Sequence, residues 1–151
     1  MRATVVVAGL PSDAHTWNLV FLQLLLEELG CEVVNLGPCV PERMLVDACR
    51  QRDPALVVVS SVNGHGYQDG LRVIRQVRDC PDLADTPVAI GGKLAVAGAV
   101  PATGTADLIE AGFSAVFDDG QRRMATFRDF VCGLGEGQYG DVAGRPAAEL
   151  Q

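Results

Sequence analysis

Metal-ligating side chains are scarce in this 151-residue sequence, which contains two histidines and five cysteines. No two cysteines form a Cys-x-x-Cys pair, and structural zinc sites are usually built from such pairs together with histidines. The sequence therefore argues against a zinc site. Because the cysteines are scattered and odd in number, they predict small buried thiols in a reducing compartment. They are Cys31, Cys39, Cys49, Cys80 and Cys132.

Basic residues and long apolar runs are also scarce in the sequence. Twelve basic residues stand against 19 acidic ones, a formal net charge of −7, whereas a nucleic-acid-binding protein needs a basic face. No apolar run approaches the ~20 residues that a membrane-spanning helix requires. The chain passes from Met1 directly into a predicted strand at Thr4, without a signal-peptide cleavage pattern. We therefore expect a cytoplasmic protein that binds neither nucleic acid nor a membrane.

Short apolar runs alternate with helical patterns along the chain. Runs that are apolar throughout, such as Thr4–Ala8, are typical of parallel strands covered on both faces. We predict an α/β domain over 1–134, with a flavodoxin-like (Rossmann-like) five-stranded parallel sheet in the order 2-1-3-4-5 and helices on both faces. Residues 135–151 predict a disordered tail. The predicted strands are 4–8, 31–36, 55–60, 87–90 and 115–117, and the predicted helices are 19–29, 41–52, 68–78, 105–111 and 122–134.

Three unusual loops follow strands whose carboxyl ends meet at one edge of this sheet. Asp13 and His15 follow the first strand, the hydroxyl pair Ser60 and Ser61 ends the third, and Gly91–Gly92 ends the fourth. In open parallel sheets, ligands bind at this edge, near the point where the strand order reverses. The three loops together predict a ligand site there.

The spacing of Asp13 and His15 suits one chemical role in particular. A carboxylate can accept a hydrogen bond from one imidazole nitrogen and leave the other nitrogen to bind a metal. Since the only other histidine is His65 and no cysteine cluster accompanies the pair, the best fit is a metal that brings its other ligands with it. A corrin or a haem is such a group. The alternative is a solvated or locally hydrogen-bonded pair of side chains.

From the sequence alone, the residues of the other loops each allow two interpretations. Ser60 and Ser61 can cap backbone groups, or one of them can hydrogen-bond a ligand between strands one and three. Gly91–Gly92 can form a plain turn, or it can let a bulky group approach the backbone, since glycine has no Cβ. Trp17 can belong to the core or face a ligand.

Three segments resemble the motifs of a known family. Asp13–His15, Ser60–Val62 and Gly91–Gly92 are similar to the Asp-x-His-x-x-Gly, Ser-x-Leu and Gly-Gly motifs of cobalamin-binding domains of the base-off, histidine-on class. The phrases SDAH, EVVNLG, VVVSSVNGHG and AIGGKLAV resemble the small (S or sigma) subunits of glutamate mutase, also called methylaspartate mutase. The resemblance extends over about residues 3–120.

The resemblance implies a role for each motif. His15 would be the lower axial ligand of cobalt, in place of the cofactor's own dimethylbenzimidazole, and Asp13 would hydrogen-bond His15 and tune its basicity. The displaced nucleotide tail would lie in a slot beside strand one, where Ser60 would meet it and Gly91–Gly92 would line its path. The other implied cofactor contacts are Ser12, Ala14, Thr16, Asn18, Ser61, Val62, Gly64 and Lys93.

The implied activity is that of a two-component isomerase. The cofactor would be adenosylcobalamin, whose cobalt–carbon bond breaks homolytically to start a radical rearrangement of glutamate to 3-methylaspartate. A separate barrel subunit would hold the substrate over the upper face of the corrin, so that no catalytic residue is expected in this chain. The implied assembly is a heteromer, such as a heterotetramer.

Two positions depart from the family pattern. Asn18 stands where the family has Gly, and Val62 stands where it has Leu. Asn tolerates positive φ better than most residues, so a glycine-like turn could survive, but its side chain would occupy space beside the nucleotide slot. Val in place of Leu is a modest packing change.

Other functions remain open at the level of sequence. The alternatives are a corrinoid carrier or sensor without mutase chemistry, and a degenerate domain that acts as a structural partner without the cofactor. Carriers and sensors usually have a helical bundle ahead of this domain, whereas the first strand here begins soon after Met1. A phosphate-accepting receiver would need an Asp where Ser60–Ser61 stands, and a flavodoxin would need a Ser/Thr-rich phosphate loop after strand one.

Overall fold

The predicted sheet is present in a computed structural model, which describes residues 3–61, 66–92, 104–118 and 123–135. Within these ranges five parallel strands form one sheet in the order β2-β1-β3-β4-β5, which confirms the predicted order. The strands are β1 (Thr4–Gly9), β2 (Glu32–Asn35), β3 (Leu56–Ser61), β4 (Val88–Gly92) and β5 (Ala115–Asp118).

Helices alternate with these strands. They are α1 (Trp17–Glu28), α2 (Glu42–Arg52), α3 (Gly66–Asp79), α4 (Gly104–Ala111) and α5 (Arg123–Gly135), with a short 3-10 turn at Pro81–Leu83. The prediction that the loop after β1 extends through Asn18 is wrong, because Trp17 and Asn18 form the first turn of α1. The signals that usually mark a helix start are missing there, since the Thr16 side chain makes no capping hydrogen bond and the first turn holds no acidic residue.

The helices pack on both faces of the sheet. Side chains alternate along β1, so Val5 and Val7 pack with α1 and α5, whereas Val6 and Ala8 pack with α2, α3 and α4. The strand is buried on both faces, which explains why its sequence is apolar without alternation.

A row of small residues crosses the carboxyl edge of the sheet. Gly9 pairs with Ser60, Ser60 pairs with Gly91, and Gly91 pairs with Phe117. Paired residues of adjacent strands project to the same face, so this row lies on the face that carries α1 and α5. Because Gly9, Ser60 and Gly91 have little or no side chain, they leave space under those two helices.

Several other predictions meet a mixed outcome. Cys31 and Cys49 are buried as expected, and burial raises the pKa of the Cys49 thiol to about 12. Cys39 and Cys132 are exposed, so the prediction of buried thiols is wrong for these two.

In the described ranges no helix has the length and apolarity to cross a bilayer. Of the predicted tail 135–151, Gly135 is the last residue of α5, and residues 136–151 lie outside these ranges.

Candidate functional site

Asp13 and His15 form the hydrogen-bonded pair that the sequence predicts. Asp13 Oδ1 lies 2.7 Å from His15 Nδ1 and also accepts the His15 backbone N–H at 3.0 Å. The Asp13 side chain is 1% exposed, whereas the His15 side chain is 59% exposed. The carboxylate therefore holds the ring from the inside, and the second ring nitrogen, Nε2, is left to bind a metal that approaches from outside.

The backbone of this loop is fixed to the neighbouring loop after β2. The Asp13 N–H donates to Leu10 O at 2.9 Å, and the Cys39 N–H donates to Asp13 O at 2.9 Å. A Cβ at Gly9 would lie 3.1 Å from Pro38 Cα, so the two loops approach closely at a position that has no side chain. These contacts fix where His15 leaves the sheet.

A second anchor of the loop is Asp69 on α3, which the sequence analysis missed. This buried carboxylate accepts the Ser12 backbone N–H at 3.2 Å and the Ser12 hydroxyl at 2.5 Å, and it accepts a hydrogen bond from Arg72 at 3.0 Å. Arg72 also donates to Glu42 on α2, and this hydrogen bond holds the pKa of Glu42 below its usual value. The loop that carries His15 is thus tied to two helices.

An apolar slot opens between the carboxyl edge of the sheet and the helices α1 and α5. It has about 480 Å³ of empty space, part of which is open solvent. Ser60 and Gly91 form its floor, as predicted from their place at the sheet edge. The lining residues are Asn18, Phe21, Leu22, Val58, Val59, Ser60, Gly91, Gly92, Phe117 and Phe127.

Aromatic rings form one wall of the slot. Phe117 on β5 packs edge-on against Phe127 on α5, with ring centroids 5.2 Å apart, and against Phe130 at 5.8 Å. Such edge-to-face pairs add to the stability that their burial provides. The sequence analysis placed neither Phe117 nor Phe127 in the site, since no local pattern distinguishes them from core residues.

The two adjacent glycines are required for different reasons. A Cβ at Gly91 would lie 3.2 Å from Phe117 O, so glycine allows β4 and β5 to approach closely here. Gly92 has a φ of +104°, and a Cβ there would lie 2.0 Å from Ser61 O. The pair is therefore more than a plain turn, because it shapes both the sheet edge and the slot.

Asn18 faces the slot from the first turn of α1. Its Nδ2 donates to Ser60 Oγ at 2.5 Å, and its Oδ1 is buried without a hydrogen-bond partner. Among the described residues other than glycine, only Cys39 and Asp53 have positive φ, so the expectation that Asn18 preserves a glycine-like turn is wrong. The expectation that its side chain occupies space at the slot is confirmed.

The remaining predicted contacts lie in several places. Ala14 and Thr16 are exposed beside His15, and Ser61 is fully buried one residue beyond Ser60, where alternation turns its side chain to the other face of the sheet. Trp17 is 83% exposed and does not belong to the core. The described ranges contain no group of three or more His, Cys, Asp or Glu able to hold a metal. Outside these ranges lie Val62, Gly64 and Lys93.

Known proteins share this fold and this sequence pattern. A cobalamin-binding protein from Desulfitobacterium hafniense superposes with a TM-score of 0.62 and 24% identity, covering 76% of this chain and 52% of the other, so the chain spans about half of that protein. A signal receiver domain of a response regulator from Colwellia psychrerythraea superposes with a TM-score of 0.66 and 14% identity, covering 89% and 98% of the two chains. At these identities the likenesses show the fold alone.

The sequence comparisons go further than the fold. Residues 3–127 match the B12-binding domain family. Glutamate mutase sigma subunit 1 of Haloarcula marismortui is 33% identical over 118 residues, which cover 78% of this chain and 77% of the relative. On these two matches, the chain belongs to the B12-binding domain family and, within it, to the glutamate mutase sigma subunits.

Proposed function

We propose that this chain is the cobalamin-binding subunit of a two-component, adenosylcobalamin-dependent glutamate mutase, with His15 as the lower axial ligand of cobalt. The observation that carries the proposal is the Asp13–His15 pair, at 2.7 Å, on the loop that leads into Asn18, a lining residue of the apolar slot. A protein imidazole that has one nitrogen hydrogen-bonded and the other exposed can replace a cofactor's own base as the metal ligand. The displaced base then needs a binding site of its own.

The residues present fit a corrinoid with a displaced base. His15 supplies one neutral nitrogen ligand, which suits a metal whose other ligands come from a macrocycle. The slot is lined by Phe21, Leu22 and Phe117, whose apolar surfaces suit a flat aromatic base. The Ser60 hydroxyl, which accepts from Asn18 Nδ2, keeps its own hydrogen to donate to the free ring nitrogen of such a base.

Each residue of the chain then has a defined task. Asp13 accepts the hydrogen from Nδ1, which fixes the tautomer of His15 so that Nε2 carries the free lone pair. Asp69 and Ser12 hold the loop in place, and Ser60 and Gly91 form the floor on which the tail lies. Adenosylcobalamin, when bound, supplies homolysis of its cobalt–carbon bond, which starts the rearrangement.

The substrate, glutamate, would bind a separate barrel subunit that covers this site in a cytoplasmic heteromer, such as a heterotetramer. The exposure of His15 supports this arrangement, because a partner must shield the cofactor from water. The apolar side chains Trp17, Phe21 and Leu24 are 83%, 52% and 61% exposed on α1, next to the site. Exposed apolar patches of this kind often mark protein interfaces.

Titration of the purified chain with adenosylcobalamin tests the proposal. We expect a protein-bound, base-off species with an imidazole ligand in the visible spectrum, and formation of 3-methylaspartate from glutamate once the barrel subunit is added. Binding without isomerase activity would indicate a corrinoid carrier. The absence of any bound species, with or without the partner subunit, would refute the proposal and favour a structural role.

A further inference from the structure

One polar side chain in the slot has incomplete hydrogen bonding. Asn18 donates from Nδ2 to Ser60 Oγ at 2.5 Å, but its Oδ1 is buried without a donor. In the part of the chain that the structure describes, it is the one buried side-chain nitrogen or oxygen in that condition. Buried polar atoms are nearly always paired in native proteins, so this acceptor points to a donor that a ligand would bring.

The orientation of the amide follows from its surroundings. Apart from Asn18 and Ser60, the side chains that line the slot are apolar, among them Phe21, Leu22 and Val58. If Oδ1 accepted from Ser60 instead, the amide would present two N–H groups to a wall without side-chain acceptors. An underused carbonyl oxygen is tolerated better than unpaired N–H groups, which favours the observed orientation.

Asn18 and Ser60 together present one acceptor and one donor to a ligand. Ser60 Oγ receives a hydrogen from Asn18, so its own hydroxyl hydrogen is left to donate, while Asn18 Oδ1 accepts. A benzimidazole base offers a ring-nitrogen acceptor and no N–H donor, which satisfies Ser60 alone. Adenine offers a ring-nitrogen acceptor beside an amino donor, so its ring nitrogen can accept from Ser60 while its amino group donates to Asn18 Oδ1.

We propose that Asn18 makes the slot selective for a cobamide whose lower base is an aminopurine, such as adenine, over one that carries dimethylbenzimidazole. This inference rests on the proposed function, because the base can lie in the slot only when His15 has taken its place at cobalt. Asn18 thereby acts as a specificity-determining residue at the position where the family pattern has Gly.

Three corrinoids in their hydroxo forms test this selectivity: cobalamin, its adenine-containing analogue, and cobinamide, which lacks a base. Equilibrium dialysis gives the affinities, and the visible spectrum reports ligation by imidazole. We expect the adenine analogue to bind about tenfold more tightly than cobalamin, the value of one additional hydrogen bond. Asn18→Leu keeps the branched side-chain shape and removes the acceptor, so the two affinities should come within about twofold of each other.

Leu22→Ala is the matched control, because it widens the same slot and leaves the amide in place. We expect the ratio of the two affinities to stay at the wild-type value. The inference would be overturned by equal affinities in the wild type or by a preference for cobalamin. It would also be overturned if the preference for the adenine analogue survived Asn18→Leu or disappeared in Leu22→Ala. Imidazole ligation with none of the three corrinoids would overturn the proposed function itself, whereas ligation with all three at equal affinity would overturn only the selectivity.

Discussion

Replacing His15 with glycine should abolish imidazole ligation of cobalt and lower the affinity for cobalamin at least about a hundredfold. The estimate follows because the loss of an outer partner of a metal ligand already costs about 10- to 100-fold, and His15 is the ligand itself. The variant also removes a hydrogen-bond partner of the buried Asp13 carboxylate, so the free energy of unfolding should fall by about 1–3 kcal/mol. Titration followed by the visible spectrum, together with urea unfolding, measures both quantities.

Free imidazole provides the control for this variant. Because His15→Gly leaves space at an exposed position beside the Asp13 carboxylate, imidazole added to the solution should restore a nitrogen ligand and part of the affinity. Asp13→Asn belongs to the same series, since the amide oxygen can still accept from Nδ1 but the negative charge is gone. We expect its affinity to fall about 10- to 100-fold. Unchanged corrinoid uptake and ligation in His15→Gly would contradict the assigned role.

Replacing Gly92 with alanine should destabilise the domain by about 3 kcal/mol or more. Gly92 has a φ of +104°, and the new Cβ would lie 2.0 Å from Ser61 O, so the backbone of β3 or β4 must move. Because Gly92 also lines the slot, cobalamin binding should fall as well. Urea unfolding monitored by circular dichroism gives the change in the free energy of unfolding.

Gly30→Ala isolates the contribution of backbone conformation. Gly30 also has a positive φ, +91°, but a Cβ there would have no neighbour within 4 Å. We expect it to lose only about 1–2 kcal/mol, the usual cost of that conformation for a residue with a Cβ. Equal losses in the two variants would mean that the close contact with Ser61 can be relieved without cost.

The sequence was sufficient to predict the sheet and the row of residues at its edge. Apolar runs such as Thr4–Ala8 are buried on both faces, and alternation with helices determines a parallel sheet. Once the order 2-1-3-4-5 is known, Ser60 and Gly91 must meet at one edge, where the structure pairs them. The Asp13–His15 contact was predictable because the two residues stand only two positions apart on the same loop.

Other parts of the site depend on contacts that no local pattern records. Asp69 holds Ser12 across 57 positions of sequence, and within α3 it looks like an ordinary polar residue of the first turn. The start of α1 was misplaced because Trp17, an exposed aromatic residue, follows a Thr that makes no capping hydrogen bond. The contact between Asn18 and Ser60 depends on that helix start, so it could not be predicted either.

Electron paramagnetic resonance of the cobalt(II) form of bound cobalamin tests the central claim most directly. The unpaired electron on cobalt couples to the axial nitrogen, and the splitting depends on the isotope of that nitrogen. With protein labelled with nitrogen-15 and unlabelled cobalamin, ligation by His15 predicts that the triplet splitting of each line becomes a doublet. A triplet that persists after labelling would mean that the axial nitrogen belongs to the cofactor's own base, which would contradict the account.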